Sequence, residues 1–187
     1  MKSFFIIALI SFAFSTSAQI KISFSTQNYA GLLEGANGSA LQLQTINGMK
    51  YKTFFAGLGT GLDWYYQRSI PFFLSLNKEF FNKNKKSIYI AANVGLNFPW
   101  REKTPDDWDY GAYGKYHSGS YWSSGIGYRI GVGKNNDAVL LQLGYSYKHL
   151  SEKITSVLPC FNPPCPENTE RYDFYLRRLS VMLGWSF

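Results

Sequence analysis

The sequence lacks any apolar stretch long enough to cross a bilayer as a helix, which takes about 20 residues. The run from Phe4 to Phe14 falls short of that, and nothing after it comes closer. Cysteine is nearly absent, with only Cys160 and Cys165 in 187 residues, and two thiols alone make a poor zinc site. There is no dinucleotide fingerprint. Gly57-Leu58-Gly59-Thr60-Gly61 has the wrong spacing, and no helical pattern follows it to receive a phosphate. Asp106, Asp107 and Asp109 lack the spacing of an EF-hand loop. Lysine and arginine outnumber aspartate and glutamate by 19 to 12, for a formal charge of +7. The basic residues are scattered, however, and form no patch suited to nucleic acid. No metal, nucleotide cofactor or nucleic-acid partner is therefore expected.

What the sequence does contain is aromatics, at 18%, and alternation. Leu179, Val181, Leu183, Trp185 and Phe187 share one parity, and Ser180, Met182, Gly184 and Ser186 share the other. A period of two is a strand between two environments. Here the bulky face is apolar and the opposite face is small or polar. The apolar face covers roughly the 9–11 residues that a tilted strand needs to cross a bilayer. The mean hydropathy of −0.19 fits a barrel in which lumen, turns and loops dilute the lipid-facing residues.

Seven further strands follow from the same pattern: Ile20 to Thr26, Ser39 to Asn47, Thr53 to Tyr66, Ile70 to Phe80, Ile88 to Phe98, Tyr121 to Gly133 and Ala138 to Leu150. The eighth spans Tyr172 to Phe187. Asn47-Gly48 reads as a hairpin turn, and the glycines through Gly31, Gly35 and Gly38 as a loop after the first strand. Short connections are then expected around Gly48, Asn84 and Asn135, and long ones around Gly31, Asp107 and Cys160. The short and long connections fall at opposite ends, which is the rule for barrels with short periplasmic turns and long external loops.

At the other end of the chain, Lys2, the apolar run and Thr16-Ser17-Ala18 read as a secretory leader cleaved after Ala18. The expected organisation is a leader over residues 1–18 and one barrel domain over 19–187. No cysteine follows the cleavage site, so no lipoprotein anchor is expected. In the oxidising context of an exported loop, Cys160 and Cys165 are expected to form a disulfide.

A terminal strand ending in phenylalanine resembles the sorting signal of Gram-negative outer-membrane barrels. Thr45-Ile46-Asn47-Gly48, Gly57-Leu58-Gly59-Thr60-Gly61-Leu62-Asp63 and Leu183-Gly184-Trp185-Ser186-Phe187 resemble segments of a small outer-membrane barrel family of OmpA/OmpX-type architecture. The resemblance implies an all-β fold, an eight-stranded antiparallel up-and-down transmembrane β-barrel in the cell outer membrane. It implies no settled activity.

Charges on the lumen parity are Asp63, Glu79, Arg129, Lys148 and Arg178. An unpaired charge inside a narrow barrel is strongly disfavoured. Glu79 is therefore expected to meet Arg129, and Asp63 to meet Lys148 or Arg178, closing the interior. The one enzyme-like constellation is His149-Leu150-Ser151. It resembles the His-x-Ser of the lipid A 3-O-deacylase family, which would make His149 a general base and Ser151 a nucleophile on the lipid side. Glu152 departs from that family's pattern. Glu167, Glu170 and Asp173 are the acids available to His149, which is expected to sit at the interface without one. No catalytic residue is assigned.

The expected function is that of a membrane-structural or surface-interaction protein with a closed polar interior. A lipid A-modifying esterase is the alternative and a small passive pore the third reading. Expected partners are outer-membrane lipid and lipopolysaccharide, with an extracellular glycan or protein ligand at the aromatic loops, and the chain itself is expected to be a monomer.

Overall fold

The computed structural model describes residues 22–100, 112–132, 137–157 and 166–187. The leader, Asp106, Asp107, Asp109 and both cysteines lie outside the described residues. The chain forms β1 (Ile22–Gly35), β2 (Gly38–Tyr51), β3 (Phe54–Asp63), β4 (Ser69–Lys83), β5 (Lys86–Pro99), β6 (Ala112–His117), β7 (Gly119–Gly131), β8 (Ala138–Val157) and β9 (Glu167–Ser186).

Eight strands close a ring in the order β1-β2-β3-β4-β5-β7-β8-β9, with β9 pairing back onto β1. All neighbours run antiparallel, so the fold is the expected up-and-down barrel. The pairing can be followed once around from Ser186, through Gln27, Ile46, Gly59, Phe73, Gly95, Tyr121 and Lys148. It returns to Leu176, ten residues displaced along β9. That stagger obliges the strands to tilt and keeps the bore narrow. β6 stands outside the ring. It pairs with β8 above the point where β7 leaves it, so β6, β8 and β9 continue as a three-stranded sheet beyond the barrel.

Parity sorts the side chains as the alternation demands. On β9, Leu179, Val181, Leu183 and Trp185 face outward at 42–63% exposure, while Arg178, Ser180, Met182 and Ser186 are buried. Leu41, Leu58, Leu74, Ile90, Val94, Ile126 and Leu143 extend the apolar band around the wall. A contiguous band of this extent is unsuited to water and suited to hydrocarbon. Polar groups on the same wall satisfy one another, as hydrocarbon requires. Thr26 Oγ1 donates to Asn47 Oδ1 at 2.8 Å, and Thr45 Oγ1 to Asn28 Oδ1 at 2.8 Å.

Several element boundaries differ from the sequence expectation. The first strand does not stop at Thr26 but runs to Gly35, leaving only Ala36 and Asn37 as a connection. Gly31 sits there because the bore is crowded: a Cβ on it would lie 2.4 Å from Met182 Sδ. Asn47-Gly48 is no turn. Gly48 lies mid-strand between Ser25 and Gly57, and the chain reverses at Lys52, whose φ is +54°. The third strand ends at Asp63, and the connections beyond Pro99 and Ser151 contain β6 and the extended halves of β8 and β9. The long loop expected around Gly31 is therefore absent, the turn at Asn84 is short as expected, the turn expected at Gly48 falls instead at Lys52, and the one expected around Asn135 lies outside the described residues.

These assignments make opposite demands on two residues. A Cβ on Gly48 would lie 2.2 Å from the Ala56 carbonyl oxygen, so Gly48→Ala should lower the urea midpoint of the folded barrel. Lys52→Gly removes a left-handed non-glycine residue and should raise stability by up to about 1 kcal/mol. A turn at Gly48 would give the reverse order.

Candidate functional site

The bore is filled from the inside by the inward parity. Tyr29, Phe55, Phe73, Tyr89, Tyr121 and Met182 form its middle layer. Their polar ends join inward amides. Tyr29 OH donates to Gln27 Oε1 at 3.1 Å, Tyr89 OH to Gln142 Oε1 at 3.3 Å, and Gln44 Nε2 to Tyr121 OH at 2.9 Å. Phenols suit this position because the ring fills space while the hydroxyl finds a partner. Gly127 leaves room for one of them, since a Cβ there would lie 2.1 Å from the Tyr89 ring.

An ionic cluster lies on either side of this layer. Towards the end that carries Lys52 and Asn84, Glu79 Oε1 accepts from Lys50 Nζ at 2.5 Å and from Arg129 at 3.2 Å. Towards the other end, Asp63 lies 3.2 Å from Lys148 Nζ and pairs through its second oxygen with Arg178. All three side chains are fully buried. Arg178 also donates to Ser146 Oγ at 2.6 Å. Lys148 donates to the carbonyls of Tyr65 and Gln67 at 2.8 and 3.0 Å. The connection between β3 and β4 is thereby pulled down over the mouth. There Tyr65 packs with Leu33, Leu150 and Leu176.

The expected Glu79–Arg129 pair is present, and Asp63 meets both of its candidate partners. Lys50 was missed because a turn at Gly48 would have removed it from the strand. The signal was available, since Lys50 continues the parity of Gln42, Gln44 and Ile46.

The rim at the Asp63 end of the barrel brings together His149, Ser151, Arg171 and Asp173. Ser151 faces Asp173 directly across β8 and β9, and His149 faces Tyr175 one step below. His149 Nε2 lies 3.2 Å from Asp173 Oδ1, and its ring stacks on Tyr175 with centroids 5.0 Å apart. The expectation that His149 has no acid is therefore corrected. β9 begins at Glu167 rather than near Tyr172, which turns Asp173 from a loop residue into a cross-strand neighbour. Arg171 Nε donates to Ser151 Oγ at 3.0 Å, and Arg171 also reaches Asp173 at 3.4 Å. Partial burial pushes the Asp173 carboxyl up, but His149, Arg171 and Ser151 together outweigh it and hold the carboxyl below its ordinary range.

Among the described residues no hydrogen bond joins Ser151 to His149. A nucleophilic relay needs the imidazole between serine and acid, whereas here Ser151 and His149 both turn to Asp173, and Ser151 Oγ accepts from Arg171. Among the described residues, too, no group of three histidine, cysteine, aspartate or glutamate side chains is placed to hold a metal. Below this cluster the outward face carries Trp122, packed against Tyr145 and Tyr147 at 5.5 and 5.8 Å.

No family model matches the chain, and no curated protein matches its sequence. Solved structures of other proteins resemble it in shape. The crystal structure of Neisserial surface protein A (NspA) aligns over 88% of this chain and 95% of its own, at 12% identity and a TM-score of 0.51. The solid-state NMR structure of the outer membrane protein AlkL in DMPC lipid bilayers covers 92% of this chain and 93% of its own, at 12% identity and a TM-score of 0.47. The likeness to the surface protein is one of fold, a small antiparallel barrel with a ring of eight strands.

The Asp63 cluster makes a prediction about stability. Asp63→Ala would leave Lys148 and Arg178 buried without their carboxylate, a change that costs about 3–5 kcal/mol. Urea unfolding of the vesicle-inserted protein should show that loss, and Asp63→Ala/Lys148→Met should recover part of it.

Proposed function

We propose that this chain is a closed barrel of the bacterial outer membrane, a membrane-embedded scaffold that presents the sheet of β6, β8 and β9 outside the cell as an interaction surface. The observation that carries the proposal is the combination of an apolar outer wall with a bore filled by side chains. A lipid-facing wall supports residence in a membrane. From Trp185 to Tyr175 the aromatic residues on β9 are ten positions apart. At the usual strand tilt they delimit an apolar band about 25 Å tall. Two ionic clusters and an aromatic layer across the bore argue against a pore. What is left for function is the material beyond the wall, and most of that is the three-stranded extension. Short turns at Lys52 and Asn84 mark the opposite end as periplasmic, so the extension would lie outside.

Surface labelling tests this arrangement. A membrane-impermeant amine reagent applied to intact Gram-negative cells expressing the full chain should modify Lys115 and Lys153. Lys83 and Lys86 should be modified only after the outer membrane is permeabilised. In planar bilayers the purified protein should carry no steady current. Labelling in the opposite order, or a stable ohmic conductance, would sink the proposal.

The contact of His149 with Asp173 favours a second reading, an esterase acting on lipid A with His149 as base and Ser151 as nucleophile. Against it stands the wiring of Ser151, whose oxygen accepts from Arg171. On the proposed function, lipid A from cells expressing the native chain should keep all its acyl chains, and Ser151→Ala should change nothing. Loss of an acyl chain that depends on Ser151 would make the esterase the correct reading.

A further inference from the structure

We infer that the outward face of the β6–β8–β9 extension is a binding site for the phosphorylated headgroup of a glycolipid in the surrounding leaflet. This rests on the membrane placement proposed above and deepens it. The ladders put Lys115 opposite Lys153, and Lys153 opposite Arg171. Directly opposed residues of an antiparallel sheet point to the same side, with Cβ atoms about 4.5–5.5 Å apart. Three cations therefore form one row across three strands, on the face that also carries His149 and Tyr175. All three are exposed.

Like charges placed directly opposite one another destabilise a sheet, so Lys153 and Arg171 need counter-charge. Asp173 supplies some of it to Arg171 at 3.4 Å, but Lys153 has no ionic partner among the described residues. The row's height points to the ligand. Arg171 lies four residues above Tyr175, about 13 Å along the strand. Tyr175, Tyr147 and Trp122 form the aromatic layer that marks the apolar boundary of a bilayer wall. Phosphate esters of the facing leaflet lie just beyond that boundary. Arg177, exposed on the same face beside Tyr147, places a further cation at the boundary itself.

The arrangement suits a lipid better than a free anion. An arginine fork and a lysine point charge are the usual donors to phosphate oxygens. Below the row, Leu179, Val181 and Leu183 offer an apolar track for acyl chains. A soluble phosphate would use the cations and leave that track empty.

The test uses the purified full chain and bis-phosphorylated lipid A as the probe, with bound lipid counted by native mass spectrometry from micelles. Native protein should retain lipid A, and Lys153→Ser/Arg171→Ser should weaken retention about tenfold, or roughly 1.4 kcal/mol. Retention of phosphatidylcholine should be the same in both. Lipid A with its phosphates removed should bind the native protein as weakly as the intact lipid binds the variant, an arm that requires no variant to fold. Equal retention of the phosphorylated and dephosphorylated lipids would overturn the site. Full displacement by excess inorganic phosphate would assign the row to a free anion and overturn the lipid. Insertion of each protein into phosphatidylcholine vesicles is scored in parallel. Failure to insert counts against the membrane barrel itself, whereas insertion without phosphate-dependent retention counts against this site alone.

Discussion

Everything in this molecule depends on the sheet having no edge within the wall. Hydrocarbon offers backbone groups no partner, so a strand structure can cross it only as a closed ring. The closing bond is the pairing of β1 with β9, from Gln27–Ser186 to Gly35–Arg178. Closure at eight strands and a stagger of ten residues fixes a narrow bore. It also fixes which parity is inside. The glycines and serines of the inward parity, and the leucines, valines and aromatics of the outward parity, are both consequences of that one constraint.

A narrow bore then governs its own contents. Side chains must fill it, and each buried charge must be answered. Asp63 answers two cations, and Glu79 does the same for Lys50 and Arg129. Both clusters join strands that lie far apart around the ring. The bonds from Lys148 to the carbonyls of Tyr65 and Gln67 carry this bracing into the connection that caps the mouth. The same contacts that stiffen the barrel are what close it, so rigidity and an open passage are alternatives here.

The eight strands of the ring could be read from alternation because a wall with two such different faces leaves a period-two record in the sequence. The charge pairs could be read for the same reason: parity placed Glu79 and Arg129, and Asp63 and Arg178, on the inside. Strand ends were less legible. Tyr29, Gly31 and Gly35 resemble loop residues by composition, yet they are lumen residues chosen for space and hydrogen bonding. Asn47-Gly48 carries the dipeptide of a hairpin, but the register with β3 overrides that local preference, and the turn falls on Lys52 at a positive φ. The extension beyond the wall was hidden because neither of its sides faces hydrocarbon. Without an apolar face its strands show little hydrophobic alternation, and with them went the partnership of Asp173 and His149.

The extension meets the edge problem in another way, and this bears on how it can bind anything. Above Arg178, β9 has no neighbour on the β1 side among the described residues, so Glu167–Arg177 presents a row of unpaired backbone groups to solvent. Such an edge invites strand addition unless charge discourages it. Glu167, Glu170, Arg171, Asp173 and Arg177 all fall within these eleven residues. An incoming strand would have to desolvate charges of both signs in order to gain its ladder. Pairing through the edge is therefore disfavoured, while the outward face keeps its cations in a fixed row above the aromatic layer. The recognition proposed for this end of the molecule therefore uses the face of the sheet rather than its edge, and its cations call for a ligand that brings negative charge.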